Sequence, residues 1–324
     1  MCIFKPDNGM EYCMKIIVTG GSGFLGTHMI RALKNAGHTV KNIDIRPSRD
    51  ADVETVLADI LYTQRMKQEI RDADAVFHLA GLIEAGESVK NPQKFVDVNI
   101  SGTVSILEAM RENNVKIILF SSSAAVYGEP QNIPIKEDDR TIPINPYGMT
   151  KLAMEGLISS YVKAHGFTGV ALRYFNLYGP EEHHEPESHA MPRFIKQIYE
   201  GSEVTVYGSG EHQRDYIHVK DIVTAHLQAL EYAVSNPSKY HYFNLSTEKP
   251  STVLEIAKAV ESAMQNLGVQ KTAHITHQPE RPGDPLLLFA SAQKAKEILA
   301  WQAQVTLETG IQETVEYFVK LWSK

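Results

Sequence analysis

A chain of 324 residues with 43% hydrophobic and 22% charged residues has an ordinary globular composition, long enough for one large or two smaller cores, which excludes disorder as its main state. Its formal net charge of −7, without a basic run, excludes the footprint of a nucleic-acid or anionic-membrane binder and leaves small molecules as expected partners. No apolar run approaches the roughly 18 residues of a membrane helix, and the opening MCIFKPDNGMEYC has no continuous apolar core for a signal peptide. Both cysteines, Cys2 and Cys13, lie in that opening stretch, where a disulfide could staple only a short tail, so a cytoplasmic location is expected and residues 1–14 are set aside as a tail.

From Lys15 onward, short β-rich runs alternate with longer segments of helical period. The spacing predicts strands at Lys15–Thr19, Thr39–Asp44, Thr55–Leu57, Ala75–Leu79, Lys116–Ser121 and Gly169–Arg173. The clearest helices are Phe24–Asn35, Pro92–Asn113 and Pro146–His165. This is the pattern of βαβ units, a parallel sheet covered on both faces. Beyond Arg173 the regularity loosens into a polar loop (181–189), a helix at Pro192–Glu200, a strand at Val204–Tyr207, a helix and strand at Val219–Tyr232 and Tyr242–Leu245, and helices at Val253–Leu267 and Leu307–Trp322. The expected division is a dinucleotide-binding unit over 15–175, rejoined by about 215–246, and a smaller discontinuous lobe drawn mostly from 176–324.

The first strand runs straight into Gly20-Gly21-Ser22-Gly23-Phe24-Leu25-Gly26 and then a helix. Glycines at that turn let backbone N–H groups approach a pyrophosphate, which the positive end of the helix then favours. The second strand ends in Asp44, placed to accept the ribose hydroxyls of adenosine. A carboxylate there repels a 2′-phosphate, which favours NAD, although Arg46 is near enough to accommodate one. Asp59 and Ile60 follow the third strand, where they could meet the adenine, although an Asp at a strand end more often only caps a helix.

Tyr147 and Lys151, spaced i, i+4 at the start of a predicted helix, project from one face, so the ammonium is expected to draw the phenol's pKa toward neutrality and make it a general base. Ser121-Ser122-Ser123 follows a buried strand at the carboxyl end of the sheet, where Ser123 could donate to a substrate oxygen. His183, His184 and His189, with Glu181, Glu182 and Glu185, lack regular ligand spacing and are read as a polar loop over the substrate rather than a metal site, and His218 as a structural residue.

The motifs GGSGFLG (20–26), HLAG (78–81), SSSAAVYG (121–128), PYGMTK (146–151), LRYFNLYGP (172–180), RDYIHVKDI (214–222) and ERPGDP (280–285) together carry a resemblance. The chain resembles the extended short-chain dehydrogenase/reductases, most closely their UDP-glucose 4-epimerase-like nucleotide-sugar enzymes. The resemblance implies an α/β fold, a Rossmann-type doubly wound parallel sheet with a smaller, discontinuous C-terminal substrate-binding lobe. It implies a tightly held NAD contacted by Gly20, Gly23, Phe24, Leu25, Gly26, Asp44, Asp59, Ile60, Leu79, Ala80, Gly81, Asn99, Ser121, Tyr147, Lys151 and Tyr174. It implies catalysis by Ser123, Tyr147 and Lys151 and binding of a UDP-sugar by Ser123, Tyr147, Asn176, Arg214, Arg281 and Asp284. It further implies a homodimer built on the helices at 92–113 and 146–165.

Similar 4,6-dehydratases carry an Asp and a Glu where this chain has Ala124 and Ala125, and related decarboxylases a Glu at Ala125; methyl groups transfer no protons, so both activities are disfavoured. What is left is 4-epimerisation of UDP-glucose/UDP-galactose or the N-acetylated pair, with a uronate epimerase, a ketosugar reductase or a non-catalytic dinucleotide sensor as alternatives. Ile83 and His189 stand where typical epimerases have Lys and Asn, so contacts to the sugar are expected to differ.

Overall fold

The computed structural model describes residues 3–4, 11–183, 189–280 and 286–323. In chain order its elements begin with β1 (Ile3–Phe4) and β2 (Glu11–Tyr12), a minimal antiparallel pair. Then come β3 (Lys15–Thr19), α1 (Phe24–Asn35), β4 (Thr39–Asp44), β5 (Glu54–Leu57), α2 (Thr63–Glu69) and β6 (Ala75–His78). After these follow α3 (Ala85–Lys90), α4 (Pro92–Phe95), α5 (Gly102–Glu112), β7 (Ile117–Ser123), α6 (Pro146–His165), β8 (Thr168–Tyr174) and β9 (Asn176–Tyr178). The remainder comprises α7 (Ala190–Glu200), β10 (Val204–Tyr207), β11 (Gln213–Arg214), β12 (Tyr216–His218), α8 (Val219–Ser235), β13 (Tyr240–Leu245), β14 (Ser251–Thr252), α9 (Val253–Asn266), β15 (Ile275–Gln278), β16 (Leu287–Leu288), α10 (Gln293–Leu299) and α11 (Leu307–Trp322).

Seven strands form one sheet in the order β13-β8-β7-β6-β3-β4-β5, every pairing parallel. The central strands β3, β6, β7 and β8 are buried on both sides, which is why they read as continuous apolar runs. Ile16 and Val18 face one core with α1, α8 and α10; Ile17 faces another with α2, α5 and α6. The strand order doubles back between β3 and β6, opening the crevice in which such sheets bind ligands. Met14, at the edge of the stretch set aside as a tail, is buried in the first core, and Cys13 is disulfide-bonded.

A third core joins α7, α9 and α11 through Phe194, Ile198, Ile256, Val260, Ile311 and Val315. Each of these helices shows one apolar stripe, and α9 begins with a reciprocal cap in which Thr252 Oγ1 accepts from Glu255 N while Glu255 accepts from Thr252 N. Two short parallel ladders, β9 with β12 and β11 with β16, stitch this group to the carboxyl end of the large sheet. Asp215, between β11 and β12, accepts from Ser246, Thr247 N and the Thr247 hydroxyl, fixing the end of β13.

One predicted helix is not continuous. Pro92–Asn113 is α4, a π-helical segment at Val96–Ser101, and α5. The extra residue per turn brings Asn99 inward: its Oδ1 accepts from Leu82 N (2.7 Å) and its Nδ2 donates to Leu82 O (3.1 Å) and Thr150 Oγ1 (2.9 Å). Single π turns of this kind concentrate at functional sites. This one ties the loop after β6 to α6.

Candidate active site

At the end of β3 the backbone turns at Gly20 with φ of 75°, and a Cβ there would stand 2.6 Å from Ala80 N. At Gly26 a Cβ would stand 2.2 Å from Gly20 O. Both glycines are therefore needed for the turn and for the close pressing of α1 against it. Beside this turn, Asp44 Oδ2 accepts from Ser22 N (3.0 Å) and Oδ1 from Arg46 N (2.9 Å). The carboxylate is thus locked between the glycine turn and the end of β4, with acceptor positions to spare for two hydroxyls. These residues fit a dinucleotide: a glycine cradle that no Cβ could share, at the N-terminus of a 12-residue helix, flanked by an oriented carboxylate.

The other expected cofactor residues are distributed around that crevice. Leu79 and Ala80 leave β6 by bonding Thr19 through its carbonyl and its hydroxyl, and Gly81 lies against Asn99 and Lys151. Phe24 and Leu25 are buried in the core under α1, and Tyr174 stands across from Ser123 at the end of β8. Asp59 and Ala58 border an open hollow with Ile45, Leu57, Tyr62 and Arg65, while Asp59 Oδ1 accepts from Leu61 N (2.9 Å). Ile60 turns inward against Gly102. Both Nδ2 hydrogens of Asn99 are used on protein, one on the loop after β6 and one on α6.

Helix α6 delivers the chemical group. Asn145 caps it by accepting from Gly148 N (2.8 Å), Pro146 occupies its first turn, and Gly166 closes it with φ of 64°. A Cβ on Gly148 would lie 2.5 Å from Ala125 O, so glycine there lets the start of α6 press onto the short 3₁₀ turn that follows Ser123. Ser88, buried, accepts from Tyr147 N (3.1 Å) and holds the tyrosine from the other side. These contacts put Tyr147 beside Ser123, which acts on the phenol and lowers its pKa.

The expected effect of Lys151 on Tyr147 is not what the structure contains. Desolvation dominates and pushes the phenol up to about 12, with the charge of Glu84 adding to the rise. Lys151 Nζ donates to Ser121 O (2.9 Å) and lies 6.0 Å from the Tyr147 ring centre. Burial lowers the ammonium itself to about 8, with Glu155 opposing. A shift of that size is roughly 3 kcal/mol against the charged form. Because the folded state holds this proton less tightly than the unfolded chain, the penalty is present below about pH 8 and fades toward the unfolded value of 10.5. Lys151→Met is therefore expected to raise stability at pH 7 by about 1–2 kcal/mol after the lost hydrogen bond, with the gain shrinking above pH 9, as denaturant titrations at both pH values would measure.

The expected substrate residues lie across the crevice. Asn176 opens β9 and donates its N–H to Asp215 O (3.0 Å); Arg214, buried on β11, donates to Gln213 O (2.8 Å). Arg281 and Asp284 lie outside the described residues, as do His184 and Glu185. The other residues of the polar loop part company: Glu181 pairs with Arg31 and Arg49, His183 with the Tyr317 hydroxyl, and Glu182 with His189. Among the described residues no group of three or more His, Cys, Asp or Glu could hold a metal. His218 caps α8, accepting from Lys220 N (3.3 Å).

Sequence reasoning missed two residues. One is Glu155, a turn beyond Lys151 on the same helical face and legible by its spacing. The other is Glu84, whose approach to His189 joins segments far apart in the chain and leaves no local signal.

Residues 16–245 match the model of the NAD dependent epimerase/dehydratase family. A UDP-glucose 4-epimerase of Lactobacillus helveticus is 38% identical over 309 residues, spanning 89% of this chain and 92% of that one. Among solved structures, the UDP-glucose 4-epimerase of Thermotoga maritima with UDP-glucose aligns with TM-score 0.88 and 32% identity over 95% of this chain and 100% of that one. The UDP-glucose 4-epimerase of Brucella ovis in complex with NAD aligns with TM-score 0.88 and 31% identity over 94% and 98%. On the strength of that match, with a glycine turn, a strand-end aspartate and a Ser-Tyr-Lys set in one crevice, the chain belongs to the NAD dependent epimerase/dehydratase family.

Proposed function

We propose that the protein catalyses NAD-dependent 4-epimerisation of a UDP-sugar, UDP-glucose and UDP-galactose in the first place, through a transient 4-keto sugar. The observation that carries this reading is the meeting of Ser123, Tyr147 and Lys151 at the carboxyl end of β7, next to a chain position, Ala124–Ala125, with no acid or base for elimination or decarboxylation.

NAD, when bound, would supply the hydride acceptor and donor that the reaction at C4 requires. Tyr147 takes the proton of the sugar 4-hydroxyl as C4 becomes a carbonyl and returns it once the configuration has inverted. Ser123 donates to that same oxygen. Lys151, held by Ser121 O, keeps a cation under the phenol. Asn176 and Arg214 are assigned to the diphosphate or the sugar, Arg281 to phosphate and Asp284 to the nucleoside; Arg is the side chain best matched to phosphate oxygens. Gly20, Gly23 and Gly26 cradle the pyrophosphate of the cofactor and Asp44 its adenosine ribose.

Residues 15–175 with 215–246 are assigned to the cofactor lobe and the rest from 176 to the substrate lobe. The cytosol is the proposed location; among the described residues no helix is long and apolar enough to cross a membrane. A homodimer through the helices at 92–113 and 146–165 is also proposed, supported by exposed Val96 and Met149 there and tested by mass in solution.

The deciding experiment mixes the protein and NAD with UDP-glucose, UDP-N-acetylglucosamine and UDP-glucuronate in turn and follows the 4-epimer by NMR. UDP-galactose is expected from the first. No epimer from any of the three would overturn the assignment and move attention to ketosugar reduction, which consumes one reduced cofactor per product.

A further inference from the structure

The motif at 78–81 gives the cofactor crevice Leu79, Ala80 and Gly81 and leaves its first residue without a role. His78 ends β6 opposite Thr19, the last residue of β3, and is fully buried. Its Nδ1 lies 2.8 Å from Thr19 Oγ1 and its Nε2 lies 2.9 Å from Thr103 Oγ1 on α5. The direction of each bond follows from its neighbours. The Thr103 hydroxyl uses its one hydrogen on the carbonyl of Asn99 (2.6 Å), so toward His78 it can only accept. Nε2 therefore carries the imidazole proton. Full burial, with the charge of Lys151 adding to it, lowers the pKa of the ring to about 3, so Nδ1 is bare at neutral pH and accepts from the Thr19 hydroxyl. Thr19 Oγ1 in turn accepts from Ala80 N (3.4 Å).

The same direction continues through the side chain of Asn99. Its Nδ2 donates to Thr150 Oγ1 (2.9 Å), whose hydroxyl donates to Tyr147 O (2.8 Å). A buried chain with every donor pointing one way thus runs from the Ala80 N–H, which lies against the Gly20 turn, to the backbone of Tyr147. Thr19, His78, Asn99, Thr103 and Thr150 are all shielded from solvent, so a deleted hydroxyl leaves its partners unsatisfied rather than hydrated. Bonds in such a chain polarise and orient one another, and a break at one link loosens the rest.

We propose that His78, together with Thr19, Thr103 and Thr150, is a positioning residue of the reaction: the chain holds the cofactor loop at 79–81 and the start of α6 in one register, so that Tyr147 stays aligned with the loop that receives the cofactor. No proton travels along it; the chain acts by orientation. This inference rests on the NAD-dependent epimerase reading and adds the groups that set its geometry.

The test uses the full chain with NAD and UDP-glucose and compares kcat per bound NAD, KM and the denaturation midpoint in the wild type, Thr103→Val, Thr103→Ser, Thr150→Val, the variant carrying both Thr103→Val and Thr150→Val, and Thr314→Val. Thr103→Val keeps the shape and deletes the hydroxyl, whereas Thr103→Ser keeps the hydroxyl and deletes a methyl group. Thr103→Val is expected to lower kcat about tenfold, the scale of a small misplacement of a reacting group, with KM held within about twofold, while Thr103→Ser keeps kcat within about twofold whatever its midpoint. The double variant should fall below the poorer single variant by no more than about twofold, because the links act in series. Thr314 is equally buried and makes the same hydroxyl-to-carbonyl bond, to Gly310 O (2.6 Å), in α11 and off the chain, so Thr314→Val should lower the midpoint and leave kcat unchanged. In protein labelled with 15N-histidine, with or without NAD, the His78 ring should show a protonated Nε2 and a bare Nδ1, and Thr103→Val should shift both signals. A wild-type kcat in Thr103→Val, equal losses in Thr103→Val and Thr103→Ser, losses that multiply in the double variant, or a proton on Nδ1 each overturn the inference while leaving epimerisation of UDP-glucose intact. A wild type inert toward UDP-glucose removes the underlying reading and the inference with it.

Discussion

Tyr147→Phe is expected to lose about three orders of magnitude in the rate of UDP-sugar epimerisation, the scale typical of removing a positioned general base. The substitution deletes one oxygen. The ring stays where Ser88, Gly148 and the Asn145 cap place it, because all of those contacts are made by the backbone of α6 or by its neighbours. The hydroxyl is costly to ionise, held up to about 12 by desolvation with only Ser123 opposing. Removing it therefore leaves no charge stranded, and a denaturation midpoint close to wild type is expected. Turnover within tenfold of wild type, followed by NMR, would mean that another group moves the proton.

The second large effect concerns stability. Glu155 and Arg173 form a buried, two-pronged pair: Nε to Oε1 at 2.9 Å and Nη2 to Oε2 at 2.6 Å, with side chains 5% and 4% exposed. Ser122 donates to the same carboxylate (2.5 Å), and Arg173 Nη1 reaches the Tyr127 hydroxyl (2.9 Å), which donates to Asn244 Oδ1 (2.7 Å). This network ties α6 to β7, β8 and β13 directly beneath the serines of the site. Glu155→Ala strips the partner from a buried guanidinium and is expected to cost about 3–5 kcal/mol by denaturant titration. Replacing both members, Glu155→Leu with Arg173→Met, should recover most of that, since well-packed apolar residues often match a buried pair. A double variant as unstable as the single one would show that the pair contributes more than it costs to desolvate.

The parallel sheet was legible because strands covered on both faces leave unbroken apolar runs, as in Lys15–Thr19, and because α1 and α6 carry their own boundary residues, Gly23 before one and Asn145 and Gly166 around the other. The short ladders of β9 with β12 and β11 with β16 were not. Two- or three-residue strands have no period to read, and their partners are set by the packing of the third core. The π segment was hidden for the opposite reason: the apolar spacing of 92–113 is continuous, and only Asn99's bonds to Leu82 and Thr150 reveal the extra residue. In the site, the i, i+4 spacing correctly put Tyr147 and Lys151 on one helix face. It could not weigh the desolvation that raises one and lowers the other, since burial depends on Ser88, Ser121 and Ala125, which come from other parts of the chain.

The chemistry stands or falls on whether the hydrogen removed from C4 returns to C4. UDP-glucose carrying deuterium at C4, incubated with the protein and NAD in ordinary water, answers this by NMR of the product. The account predicts UDP-galactose with the deuterium retained at C4 and no accumulation of reduced cofactor beyond one equivalent of enzyme. Exchange of the label with solvent, or reduced cofactor forming in step with product, would contradict it.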